Sequence, residues 1–229
     1  MANLAVDYKK KVTPNFMRAL VHEVKSPLSN INVSLVMLKS PLKEVDKKEY
    51  FDIIKRSAMR INTIVDHLLS YQGLEEVTLK SQSIHQLVDT VLALASDSIE
   101  LKKVKVIKDY PLNSYELLVD SSKLIVALGN IVINAINAMA YGKGELVIST
   151  KMVDGNLQML IKDNGCGISS TNLKNIFKPN FSINPHGLGL GLTVAQHILK
   201  VNNITINVTS TVGVGTCFTL LFKSIDVVK

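Results

Sequence analysis

The hydrophobic period of this 229-residue chain changes once, and that change divides it. Up to Tyr71-Gln72-Gly73 the apolar residues recur at spacings of three and four; beyond it, short β-branched runs alternate with helical stretches. Phe16, Leu20, Val24, Leu28, Ile31, Leu35, Leu38 and Leu42 form one stripe, and Phe51, Ile54, Ala58, Ile61, Val65 and Leu68 form a second. Pro41 and the polar stretch around Asp46 separate them. Two amphipathic helices joined by a turn make a hairpin, and a lone hairpin buries too little apolar surface. Pairing two copies makes a four-helix bundle, so a homodimer is expected; the alternative is packing of the hairpin against the rest of its own chain. Residues 1–74 are therefore read as a helical dimerisation domain and residues 75–229 as a second domain.

In the second part the pattern predicts a helix over 84–96 and strands over 104–108 and 116–119. A helix over 121–140 follows, capped by Ser121 or Ser122 and ended by Gly142 and Gly144. Strands over 146–152 and 157–162 form a hairpin turned at Asp154-Gly155-Asn156, and the second strand delivers Asp163 to its end. A helix over 191–201 and strands over 204–209 and 216–222 complete the chain. Helices interleaved with strands imply an α/β sandwich, which makes the whole chain α+β.

No apolar run approaches the length that spans a bilayer, and the N-terminus does not read as a secretory signal. The expected location is the cytoplasm, either for the whole protein or for the cytoplasmic portion of a membrane-bound sensor, with no membrane contact by this segment. Cys166 and Cys217 lack metal-ligand spacing and read as reduced thiols. The net charge of +7 raises the question of nucleic acid. Yet Lys43, Lys47, Lys48 and Lys55 are interleaved with Glu44, Asp46, Glu49 and Asp52, and no recognition motif accompanies them, so no nucleic-acid partner is expected.

Five clusters carry chemistry. His22 lies two residues from both Leu20 and Val24, roughly opposite the apolar stripe, and Glu23 beside it can accept a ring proton, leaving the other nitrogen free to attack. Pro27 removes the hydrogen bond to the Glu23 carbonyl and loosens the helix there. Asn130 and Asn134 share a helix face at i, i+4, with Asn137 a weaker third, and an amide oxygen is a reasonable Mg²⁺ ligand beside phosphate. Asp163 precedes Gly165 and Gly167, where a carboxylate can accept from the adenine amine while glycines permit close approach. Gly187, Gly189 and Gly191 lead into a helix whose first-turn amides can hold a triphosphate. The stretch 177–186 before them reads as a mobile lid. Together these groups suit binding of ATP and movement of its terminal phosphoryl group.

In this order the motifs resemble the sensor histidine kinases of bacterial two-component systems, from about Thr13 to Phe222. His22-Glu23-Val24-Lys25-Ser26-Pro27 resembles the phosphoacceptor box, and Asn130-Ile131-Val132-Ile133-Asn134-Ala135 the N box. Asp163 to Ile168 resembles the first glycine box, 177–181 the F box, and Gly187-Leu188-Gly189-Leu190-Gly191-Leu192 the second glycine box. Gly213-Val214-Gly215-Thr216-Cys217-Phe218 resembles the closing glycine motif, and the details look nearest to the nitrogen-regulation type. The resemblance implies a four-helix-bundle dimer followed by a GHKL (Bergerat) ATP-binding sandwich. It implies autophosphorylation of His22 from Mg-ATP, then transfer to an aspartate of a response-regulator receiver domain. It assigns Asn134 to Mg²⁺ and Asp163 to adenine. ATPases of the same superfamily place a glutamate where this chain has Asn130, which favours kinase over hydrolase. The chain departs from the pattern in its phosphate contacts, where Lys178 is the nearest cation, and in Ser26, where phosphatase-competent relatives carry Thr or Asn. A catalytically weak ATP-binding scaffold that docks a receiver domain and a GHKL-type ATPase are the alternatives.

Overall fold

The structure, a computed structural model, describes residues 14–40, 46–58, 61, 78–111, 115–179, 181–183, 189–223 and 227–228. It divides into two compact units, Met1–Leu69 and Ser70–Lys229. In the first, α1 spans Pro14–Leu38 and continues through Pro27. A second helix, α2, occupies residues 46–58. Pro41, Val65, Leu68 and Gly73 lie outside the described residues. Within this unit Ser34 and Ser57 are buried. The apolar stripe is not: Leu28 and Leu35 are exposed at 44% and 47%, and Val24, Ile31 and Leu38 are only half-buried. Val33, Val36 and Phe51 are exposed as well. A hairpin with this much uncovered apolar surface needs another surface against it.

The second unit is an α/β sandwich. Its elements are β1 Lys80–Ser83, α3 Ile84–Leu94, α4 Ser96–Lys102, β2 Lys105–Asp109, β3 Glu116–Val119 and α5 Ser121–Ala138. Next come β4 Glu145–Val153, β5 Asn156–Asp163, α6 Ser170–Leu173, α7 Gly191–Val201, β6 Thr205–Thr211, β7 Gly215–Phe222 and β8 Val227–Val228. Five strands form a sheet in the order β2-β4-β5-β7-β6, with β2 parallel to β4 and the other pairs antiparallel. β1, β3 and β8 form a separate small sheet. Asp154 and Gly155, both at positive φ, turn β4 into β5, as the sequence requires for a two-residue hairpin loop.

The core lies between the five-stranded sheet and α3, α5 and α7. Leu146, Ile148, Leu157, Met159, Ile161, Phe218, Leu220 and Phe222 project from the sheet. They meet Leu87, Val91, Leu124, Leu128, Ile131, Val194 and Ile198 from the helices. Each full burial of such a side chain contributes roughly 2 kcal/mol, so α5 is anchored along its whole length. At 18 residues α5 is long and apolar enough by composition to cross a membrane, contrary to the expectation that no run approaches that length. Its buried apolar face and three asparagines make it the central core helix instead.

The cap of α5 differs from the sequence reading. Asp120, not Ser121 or Ser122, is the N-cap: its Oδ1 accepts from the Lys123 amide at 3.2 Å, and Ser122 donates its own hydroxyl to the same oxygen at 2.6 Å. Asp120 Oδ2 accepts from the Thr78 amide and pairs with Lys123 Nζ at 3.3 Å. At the other end Lys102, from α4, donates to the carbonyls of Ile136, Asn137 and Met139 at 2.8 to 3.1 Å. A cation on the last orphan carbonyls matches the helix dipole and fixes the end of α5.

Candidate nucleotide and phosphoacceptor sites

Three of the clusters singled out in the sequence meet on α5. Asp163 ends β5 between Leu146 of β4 and Thr216 of β7 and is buried, with 3% exposure. Its Oδ1 accepts from the Gly165 amide at 2.8 Å and the Thr216 amide at 3.3 Å. Its Oδ2 accepts from no described residue. The contrast with Asp120 is instructive. Burial pushes that carboxyl up too, but donors on both of its oxygens outweigh the effect and hold it below the usual range. At Asp163 burial wins over two amides on one oxygen, and the carboxyl is raised. A buried carboxylate oxygen without a donor is costly unless something supplies one, which fits an amine-bearing ligand such as adenine.

The glycines of this loop act differently from the sequence reading. They make room for the protein's own backbone rather than for a base. A Cβ on Gly165 would lie 2.8 Å from the Ala138 backbone, and one on Gly167 2.1 Å from the Thr211 carbonyl. Gly167 is also at φ +69°. The Cys166 amide donates to Ala138, so the loop is docked on the C-terminal end of α5. Gly167→Ala is expected to cost about 3 kcal/mol and lower Tm by roughly 6–12 °C. Differential scanning calorimetry checks it, and an unchanged Tm would contradict the packing described.

Two residues outside the sequence-derived set hold the loop. Asn164 accepts from the Glu145 amide at 2.8 Å and donates to the Lys143 carbonyl at 2.9 Å. Ser210 Oγ accepts from the Ile168 amide, donates to the Gly215 carbonyl and lies 3.0 Å from Thr216 Oγ1. Both bridge segments far apart in sequence. Their only prior signal was that Asn164 lies within the Asp-Asn-Gly turn.

Asn130 donates Nδ2 to the Val126 carbonyl, and a Cβ on Gly191 would lie 2.7 Å from its Oδ1. The first asparagine therefore faces the start of α7, and Gly191 is small because Asn130 is there. Asn134 and Asn137 are exposed on the following turns. The N-cap of α7 is Leu190, buried, with no side-chain hydrogen bond to the first turn. Among the described residues no side chain caps those amides, unlike the first turn of α5, and uncapped first-turn amides suit an anionic ligand. Gly189 has φ +65°, a left-handed turn into the cap. Leu192 and Ile168 are half-buried against the core, and Lys178 is exposed. Gly187 and Leu188 lie outside the described residues, as do positions 180 and 184–186 of the expected lid.

His22 and Glu23 lie in α1, five and four residues before Pro27, in the separate first unit. Their side chains lie outside the described set, and so does the expectation that the imidazole faces away from the stripe.

Residues 15–77 match the family described as "His Kinase A (phospho-acceptor) domain". Residues 119–225 match "Histidine kinase-, DNA gyrase B-, and HSP90-like ATPase". The chain belongs to the sensor histidine kinases of two-component systems. Sporulation kinase C of Bacillus subtilis (strain 168) is 29% identical over 211 residues, covering 92% of this chain and 49% of that protein. Sensory histidine kinase/phosphatase NtrB of Escherichia coli O157:H7 is 30% identical over 209 residues, covering 87% and 59%. Among solved structures, histidine kinase ThkA in complex with response regulator protein TrrA aligns with a TM-score of 0.75 at 20% identity, over 92% of this chain and 61% of that one. At that identity the likeness carries the fold. This histidine kinase chain spans about half the length of the curated relatives it matches.

Proposed function

We propose that this chain is a histidine kinase core that transfers the γ-phosphoryl group of ATP, with Mg²⁺, to an imidazole nitrogen of His22. In this reading residues 1–74 form the dimerisation and phosphoacceptor domain, and residues 75–229 the ATP-binding domain. The supporting observation is the buried Oδ2 of Asp163, which has no donor among the described residues; its loop docks at the C-terminal end of α5, and the start of α7 faces Asn130 on the same helix. Bound ATP would supply the electrophilic phosphoryl group. Asp163 would accept from the adenine amine, with Gly165, Gly167, Ile168 and Thr216 fixing its place. Gly187, Leu188, Gly189, Leu190, Gly191 and Leu192 would shape the lid edge and phosphate cradle, and Lys178 would add the nearest positive charge. Asn134 would ligate Mg²⁺ through its amide oxygen, flanked on the same face by Asn130 and Asn137. Glu23 would take the proton from one ring nitrogen of His22 as the other bonds to phosphorus. Asn130 has no basicity with which to activate water, which favours transfer over hydrolysis.

ThkA is described with a response regulator, and a receiver-domain aspartate is the proposed destination of the phosphoryl group here. A cytoplasmic setting and the absence of nucleic-acid and membrane contacts by this segment belong to the same proposal. So does homodimerisation, supported by the exposed stripe on α1. Sedimentation equilibrium at micromolar concentration is expected to give a dimer, retained by a fragment ending near Gly73; a monomer would count against the bundle. The catalytic proposal is tested by a time course with γ-labelled Mg-ATP, following label on protein and free phosphate separately. Acid-labile, base-stable label is expected. Phosphate release that survives His22→Gln would indicate an ATPase, and nucleotide binding without label a scaffold.

A further inference from the structure

The two edges of the five-stranded sheet differ. β2, at one edge, carries Lys105, Lys108 and Asp109 in five residues, the charges with which proteins discourage strand pairing. β6, at the other edge, is seven residues long and reads Thr-Ile-Asn-Val-Thr-Ser-Thr. It has no charge, proline or glycine, and five of its residues are β-branched. An antiparallel strand at an edge leaves alternate N–H and C=O groups without a ladder partner. The far end of β6 is closed, since Ser210 bonds the Ile168 amide and the Thr211 carbonyl backs onto Gly167. β7 pairs with the inner side of β6, and among the described residues no strand pairs with its outer side along 205–209.

The near end of the same edge opens into a recess of about 420 Å³ bordered by Gln196, Lys200, Asn203, Thr205, Ile206 and Lys223. Neither Lys200 nor Lys223 forms an ion pair with a described residue. Asp120, joined to this end of α7 through Asn202, is already held by Lys123. An edge that starts at two ammonium groups without an ion-pair partner among the described residues is complementary to an extended strand bearing carboxylates.

We propose that β6 accepts an extended acidic peptide segment of a partner protein as a sixth strand, with a carboxylate of that segment entering the recess between Lys200 and Lys223. The ladder supplies affinity without reading sequence, and the recess supplies the choice of charge. A nucleic acid cannot satisfy the alternating backbone groups. A second copy of β6 would bring no acid to the lysines, because the strand has none.

The test uses the full chain and a fluorescein-labelled peptide of alternating valine and threonine with two glutamates at each end. Anisotropy gives affinity, and amide hydrogen exchange followed by NMR locates the contact. Saturable binding is expected, with exchange slowed within residues 205–209. The Lys200→Glu/Lys223→Glu variant should bind about tenfold more weakly with unchanged Tm. A peptide N-methylated at alternate amides should not bind. The proposal is overturned by no binding at millimolar peptide, by equal binding of the lysine counterpart, or by protection at β2 instead. Concentration-dependent protection of β6 without peptide would also overturn it, assigning the edge to a second copy.

Discussion

His22→Gln is expected to remove protein-bound label from γ-labelled Mg-ATP by at least about a thousandfold, because an amide offers no nucleophilic ring nitrogen. Glutamine keeps the length and polarity of the side chain and suits a helix, so α1 should survive the change. The nucleotide residues lie in a different compact unit, so ATP affinity and the melting of Ser70–Lys229 should not move. Glu23→Gln is expected to keep the label but slow its appearance about a hundredfold, the range for loss of one proton-accepting group. Radiolabel on gels and calorimetric titration with nucleotide check both. A His22→Gln protein that labels normally would place the acceptor elsewhere.

The second large effect falls on Asp163, where stability and function should move in opposite directions. Burial raises its carboxyl, so the ionised form is penalised in the folded state. Below the ordinary value of 3.8 both folded and unfolded chains hold the proton, and the group costs nothing. As the pH climbs through the raised folded value the unfolded chain ionises more readily, and stability is lost; above it the loss is constant. Asp163→Asn retains the Oδ1 acceptor for Gly165 and Thr216 and removes the charge. Its Tm should therefore match wild type below the ordinary value of 3.8, exceed it by a growing margin as the pH climbs through the raised value, and keep a constant margin above it. ATP affinity should fall about a hundredfold, since the amide presents a donor to the adenine amine where an acceptor is needed. Thermal melts across pH and titration calorimetry check the two halves. A lower Tm at pH 7 would contradict the account of Oδ2.

Sequence reasoning reached Asp163 because a strand, an Asp-Asn-Gly turn and the following glycine are local signals. It reached α5 and α7 because the apolar period is strong in both. It misassigned the helix cap by one residue, since Asp120, Ser121 and Ser122 are all good capping types and only tertiary contacts choose among them. The short strands β1 and β8 left too few residues for a period to show. The work of Gly165 and Gly167 was hidden because the atoms they avoid belong to Ala138 and Thr211, distant in sequence. Lys102 was hidden for the same reason, as its carbonyl partners lie 34 to 37 positions away. Local chemistry was legible, and long-range packing was not. The family resemblance supplied the order of the motifs, while the structure supplied the reason Asn130 and Gly191 belong together.

The central claim is that a nitrogen of one imidazole receives the phosphoryl group. Tandem mass spectrometry of wild-type protein, incubated with Mg-ATP and digested at alkaline pH to preserve a phosphoramidate, tests it most directly. The account predicts a peptide 80 Da heavier with the added mass on His22. Phosphate found on a hydroxyl or carboxylate, or no modified peptide from protein that binds ATP, would contradict it.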